Sequence, residues 1–222
     1  VLIDREFATT LAALAEEVSA AGDPTETAEQ VVALAAAELD AKHVGIVLVQ
    51  GRHQLVTAAA TTDLIEQTVC LAAPDPYRDP VWHHQDLVVD LRWDQRWPEW
   101  STAVHDLGGR HMIAVELLAD GRRAGVLCVF SEDHSFSDND LAFAHIFGRH
   151  SALALEASNY REHIQAALDG RKLIGQAQGM LMERYRLNDL QAFALLKRVS
   201  QTQNRKMREI AAELVTTGNI DL

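Results

Sequence analysis

The sequence predicts an α/β (α+β) chain: an antiparallel sheet flanked by helices, followed by a long helix and an all-α three-helix bundle. Three observations carry this. Apolar β-type runs come in two pairs, each pair joined by a short turn. Helical periodicity brackets these runs and then continues to the end of the chain. A charge step divides the chain as well: residues 1–170 hold 11 Lys/Arg against 27 Asp/Glu, whereas residues 171–214 hold nine against four. In a chain of 222 residues with a formal net charge of −12, such a step marks two modules with different partners.

Leu2-Ile3, Phe7, Leu11, Leu14 and Val18 recur at three- and four-residue spacing and predict an amphipathic first helix. Gly22-Asp23-Pro24 ends it. Thr25-Glu26-Thr27 opens a second helix with Val31, Val32, Leu34, Ala35 and Leu39 as its apolar set. The period then changes. Val44–Val49, a Gln50-Gly51 turn and Leu55–Ala58 read as a β-hairpin. Met112–Leu118 and Ala124–Phe130 repeat the plan around Asp120-Gly121, a strong local hairpin signal. The segment between the hairpins reads as irregular, with a short helix after Arg96-Trp97-Pro98.

Ser137-Asp138-Asn139-Asp140 has the form of a capping box and opens the long helix. The next expected stop is Asp169-Gly170. Within this helix Leu153, Ala157, Tyr160, Ile164 and Ala167 alternate four- and three-residue steps, a short heptad seam. It predicts a parallel homodimer through residues 140–168; the competing reading packs the helix back on its own sheet.

Three helices are expected in the tail, over about 171–186, 189–202 and 205–216, with Asp189 starting the second and Asn204 capping the third. Ile174, Ala177, Leu181, Ala192, Leu195, Leu196, Val199, Ile210, Ala211 and Leu214 form the expected core. The cations Arg171, Lys172, Arg184, Arg198, Arg205 and Lys206, with Gln178, Gly179, Ser200 and Asn204, are left as polyanion-contact candidates. Gly175 and Gly179 lie four apart on one helical face, each at a cost of about 1 kcal/mol relative to Ala. They suit close approach by another helix or by a nucleic-acid backbone.

The run Ile174–Gly179, with Leu181-Met182, Ala192-Phe193, Leu196, Arg198, Ser200, Asn204-Arg205-Lys206 and Ala211, resembles an ANTAR domain over about residues 165–216. That family is a three-helix RNA-binding module of bacterial transcription antiterminators. One position departs from it, since the family usually has Ala-Lys-Gly where this chain has Ala177-Gln178-Gly179. The order helix, helix, hairpin, irregular middle, hairpin, helix resembles a GAF domain, a sensor fold with an antiparallel sheet flanked by helices. Arg96-Trp97-Pro98, Gly108–Met112, Gly121, Gly125 and Phe136-Ser137 support that likeness. The implied organisation is a GAF-like sensor domain over 1–155, a helical linker over 140–170 and an ANTAR domain over 165–216. The implied partner is hairpin RNA in a nascent mRNA leader. Holding one RNA fold there excludes a competing terminator hairpin, without a covalent step.

The middle segment holds all four tryptophans, Trp82, Trp93, Trp97 and Trp100, with His83-His84 nearby. With His83 they are candidates to line the pocket of a small-molecule ligand; alternatively they cap the sheet and shield its core. Adjacent histidines on an extended segment point opposite ways, so no metal is expected from His83-His84 and Asp86. No cofactor is expected either. Cys70 and Cys128 sit in apolar runs without metal-type spacing and read as reduced thiols of a cytoplasmic protein. No signal peptide is visible and no apolar stretch reaches the ~18 residues of a membrane span. No nucleophile–base pair or phosphate-binding glycine loop is recognisable, so an enzyme is not expected. Two other readings compete with RNA regulation. In one the tail docks a protein partner, with Gln178 as its best support. In the other the chain is a ligand or redox sensor with an idle tail.

Overall fold

The computed structural model of the chain describes residues 12, 23–50, 54–78, 87–119 and 121–220. The expected first helix, residues 2–18, falls almost wholly outside them. The chain divides into two compact units, Val1–Asn159 and Tyr160–Leu222.

In the first unit, Asp23 caps α1 (Pro24–Glu38). Its carboxylate accepts from the amides of Thr25 and Glu26 at 2.8 and 2.9 Å. Pro24 sits in the first turn, where its missing N–H costs nothing. The strands β1 (His43–Gln50) and β2 (Gln54–Ala60) form the first expected hairpin, and β4 (His111–Ala119) and β5 (Arg122–Ser131) the second. Gly121 sits in the second turn at φ 71°, a conformation that costs other residues strain.

Two elements lie in the segment expected to be irregular or unassigned: α2 (Leu64–Cys70) and the four-residue β3 (Leu87–Asp90). The short helix expected after Trp97 is α3 (Pro98–Asp106). The sheet order is β2-β1-β5-β4-β3, with every pair antiparallel. The two hairpins are joined through β1 and β5, where Val44 faces Val129 and Ile46 faces Leu127.

Both sheet faces are covered, so the strands read as nearly unbroken apolar runs. Ile46, Ile113, Val115, Leu117, Leu127 and Val129 point to one side. There they meet Val31, Val32 and Ala35 of α1 and Ala144, Phe147, Ala152 and Leu155 of the long helix. On the other face lie Val47, Met112, Ala114, Val126, Cys128 and Phe130, packed with Ile65 of α2, Tyr77, and Trp100 and Val104 of α3. Burial pushes the Cys128 thiol up to about 12, so it stays protonated, and its Sγ donates to the Gly45 carbonyl at 3.3 Å. Gly125 permits the central strands to approach: a Cβ there meets the Val47 carbonyl oxygen and Leu48 Cα. At the sheet margin Glu132 bonds His43 Nε2 at 2.8 Å and Lys42 Nζ at 3.0 Å. These partners hold its carboxyl below the usual range, His43 most strongly.

The long helix α4 (Asp138–Tyr185) opens with the expected capping box. Asp140 Oδ2 accepts from the Ser137 amide at 2.7 Å, and Ser137 Oγ accepts from the Asp140 amide at 3.3 Å. Its bounds correct the stop expected at Asp169-Gly170. The helix passes through that pair because one glycine costs only about 1 kcal/mol, Gln165 bonds Asp169 one turn on, and the next turns carry core residues.

The second unit packs the end of α4 with α5 (Asp189–Gln203) and α6 (Met207–Thr217). Ala177, Leu181, Ala192, Leu196, Val199, Ile210, Ala211 and Leu214 are its buried core, with Ile174 and Leu195 half-buried. Asn188 and Gln191 form a complete capping box at the start of α5. Asn204 does not cap the third helix as expected. It is the left-handed C-cap of α5, at φ 50° and ψ 40°, and Lys206 takes the N-cap position of α6. Asn tolerates that conformation better than most residues. The Ser200 carbonyl then accepts the Arg205 amide at 3.0 Å and closes the turn. Among the described residues, no helix is long and apolar enough to cross a membrane.

Candidate nucleic-acid interface

Helical packing divides the polar candidates of the second unit into two groups. Three hold the bundle together. Gln178 Nε2 donates to Asp189 Oδ1 at 2.9 Å, pinning α4 to the start of α5. Ser200 Oγ donates to the Arg205 carbonyl at 2.5 Å, so its hydroxyl serves the corner between α5 and α6. The Arg205 guanidinium pairs with Glu213 at 2.7 Å and reaches Gln203 at 3.3 Å. Side chains so engaged offer less to a ligand than the sequence suggests.

Arg171, Lys172, Arg184, Arg198, Asn204 and Lys206 are exposed. Arg171, Lys172 and Arg184 lie on α4, Arg198 on α5, and Asn204 and Lys206 at the corner. Gly175 and Gly179 also face open space: a Cβ added at either meets nothing within 4 Å. Of the two approaches open to them in the sequence, a helix of the described chain is therefore not the one used. Sequence reasoning passed over Leu190, Phe193 and Lys197, which are exposed beside Arg198 on α5 while Ala192 and Leu196 are buried. Phe193 stands in the family motif but outside both the expected core and the contact candidates. Helical phase was the available signal, because Phe193 falls one residue from a core position.

The Gln178 contact leads to a prediction. Gln178→Ala lowers the stability of the second unit by about 1 kcal/mol and changes hairpin affinity by less than about twofold. Urea unfolding and an RNA titration on the same preparation check both halves.

In the first unit the tryptophans separate. Trp82 and His83 lie outside the described residues. Trp93 is 74% exposed. Trp97 and Trp100 are buried, and Trp100 stands edge-on to Tyr77 at 5.8 Å and tilted against Phe130 at 6.3 Å. Its indole N–H donates to the Thr68 carbonyl at 3.2 Å. Phe130 and Tyr77 fill the space beside it, so Trp100 is packed into the core and is not a wall of an open pocket. The Arg96 guanidinium lies 4.8 Å above the Trp97 ring. A separate cavity of about 430 Å³ lies where the β4–β5 hairpin meets α4, between Leu48, Arg123, Leu155 and Asn159. Among the described residues no cluster of three or more His, Cys, Asp or Glu can hold a metal ion.

The seam residues are accessible in both units. Leu153 and Ala157 of the first are exposed, as are Tyr160, Ile164 and Ala167 of the second.

Comparison with known proteins agrees with this anatomy. Residues 21–156 match the GAF domain family and residues 162–215 the ANTAR domain family. No curated protein matches the chain. Solved structures do resemble it. The GAF domain of an Acinetobacter phosphoenolpyruvate-protein phosphotransferase has a TM-score of 0.57 at 12% identity, covering 72% of this chain and 99% of its own. The corresponding GAF domain from Coxiella burnetii has a TM-score of 0.55 at 17% identity, covering 72% and 96%. The free methionine-R-sulfoxide reductase of Neisseria meningitidis, solved with its substrate, has a TM-score of 0.55 at 21% identity, covering 70% and 91%. At such identities the likeness establishes the fold alone. GAF and ANTAR are sensory and regulatory families, and this chain belongs to the GAF domain family, with an ANTAR domain following its GAF domain in the architecture of a GAF–ANTAR regulator.

Proposed function

We propose that the chain is an RNA-binding transcription antiterminator. In this reading the GAF domain receives a small-molecule or partner signal and alters how two ANTAR domains of a homodimer are presented to stem-loops in a nascent mRNA leader. The observation that carries the reading is the bundle's charge, nine Lys/Arg against four acids over residues 171–214, placed on a domain family that binds RNA. Arg171, Lys172, Arg184, Arg198 and Lys206 are the phosphate and base contacts, while the acidic first unit stays clear of the polyanion. A dimer through the heptad positions Leu153, Ala157, Tyr160, Ile164 and Ala167 offers two reading surfaces, so paired hairpins gain avidity.

Arg198→Ala weakens binding of a stem-loop about tenfold and makes the salt slope about 0.7 shallower, the share of one phosphate. A titration at several salt concentrations reads both. The whole proposal is tested by crosslinking in cells and sequencing the attached RNA. Leader transcripts with stem-loops are the expected product, and recovery no greater than from an uncrosslinked control overturns it.

A further inference from the structure

Helix α5 carries a concavity that the charge argument does not use. Gln191, Ala194, Leu195 and Arg198 occur at steps of three, one and three residues, which brings them to one helix face. With Leu187 they line an open groove of about 350 Å³. Its walls are mostly apolar, from Leu187, Ala194 and Leu195, and its polar edge is a guanidinium and an amide. Gln191 Oε1 accepts the Asn188 amide at 3.0 Å as part of the capping box, which leaves the Nε2 end of the same group to donate. Both polar groups of the groove are then hydrogen-bond donors.

A flat ring with an acceptor-bearing edge fits such a site. It buries its faces against the aliphatic walls and offers its edge to Arg198, which can pair in the plane of the ring or stack on it. Within a cation-rich bundle, the polyanion that also carries flat heteroaromatic rings is a nucleic acid. Only an unpaired base is free to leave its stack and enter a groove on a helix. Leu190 and Phe193, exposed on the same helix with Lys197, extend the surface beyond the groove.

We propose that this groove on α5 holds one unpaired nucleobase of a bound RNA loop, so that Arg198 reads a base edge and is not simply a phosphate clamp. The assignment rests on the RNA-binding reading and adds to it the element that reads sequence. Charge complementarity favours this occupant over a protein side chain: Arg198 is exposed at the groove, Lys197 is exposed next to it in the sequence, and Asp189, the acid of the first turn of α5, is bonded to Gln178.

The test uses the full chain and stem-loop RNAs with randomised loops, enriched by binding to it. Ala194 is exposed, so Ala194→Leu fills the groove from its mouth without touching the core, and Ala194→Ser is the control. The expected result is a loop base whose replacement by an abasic nucleotide weakens wild-type binding about tenfold. Ala194→Leu binds the intact RNA about tenfold less tightly and loses less than about twofold more on abasic replacement, while Ala194→Ser behaves as wild type. Arg198→Lys is the second variant. It keeps the charge, so the salt slope holds, but the abasic penalty shrinks because the planar fork is gone. An abasic penalty of equal size in the wild type, Ala194→Leu and Arg198→Lys overturns the groove assignment, whatever else occupies it, and leaves RNA binding intact. Failure of the wild type to enrich any RNA overturns both.

Discussion

Trp100→Ala lowers the unfolding free energy of the first unit by about 4 kcal/mol. The indole is fully buried on the α3 side of the sheet, against Tyr77 and Phe130, and its removal leaves a cavity that neighbouring secondary structure cannot close. Two further losses add to the apolar one. The Thr68 carbonyl loses its donor at 3.2 Å, an orphaned buried acceptor costing about 1–3 kcal/mol, and the edge-on pairing with Tyr77 is forfeited. Trp100→Phe separates these contributions. It keeps an aromatic ring in the core, loses the pyrrole part of the indole with its N–H, and costs about half as much. Against a typical domain stability of about 5–15 kcal/mol, the Ala variant is near the threshold of folding. Urea unfolding followed by circular dichroism measures both variants. A loss below about 1 kcal/mol for Trp100→Ala contradicts the packing described here.

Ile164→Asp converts the proposed homodimer to a monomer and lowers the affinity for two linked stem-loops by about 100-fold, with the affinity for a single stem-loop unchanged within about twofold. Ile164 is 44% exposed, so the substitution removes no core residue from its own unit. In the dimer the same position is an a/d knob, and two carboxylates facing each other across a seam are strongly unfavourable. The split between single and paired hairpins distinguishes lost avidity from lost RNA contact. Mass in solution by light scattering at micromolar concentration gives the first half of the result. A monomeric wild type, or an Ile164→Asp chain that remains dimeric, contradicts the seam.

The sequence was most informative where local chemistry decides structure. Asp120-Gly121 between two apolar runs announced a hairpin, and Ser137 with Asp140 announced a helix start, because turns and caps are set by the residues that form them. The β1–β5 pairing was not visible, since two-residue periodicity says which face a residue takes but not which strand lies beside it. The four residues Leu87–Asp90 were too few to show a period, and their place in the sheet comes from pairing with β4. Asp169-Gly170 looked like a stop on local propensity alone. Asn204 has a side chain suited to either end of a helix, and the hydrogen bonds of the Ser200 corner decided between them.

The candidate interface divided in the same way. Its location followed from charge and motif, both written in the chain. Which side chains remain for a ligand did not, because Arg205 is paired with Glu213 from the neighbouring helix and Gln178 is hydrogen-bonded to Asp189 across the bundle. Trp100 shows the same limit in the sensor domain. An aromatic-rich segment suits a pocket or a core equally well until Tyr77 and Phe130 are seen to fill the space.

A fluorescence titration of full-length protein with a labelled stem-loop, repeated from low to physiological salt, tests the central claim most directly. Binding that weakens as salt rises, with log affinity falling by about 0.7 per decade of salt for each phosphate held by the exposed cations, is the predicted result. Stem-loops left unbound at low ionic strength, or bound with no salt dependence, would contradict it.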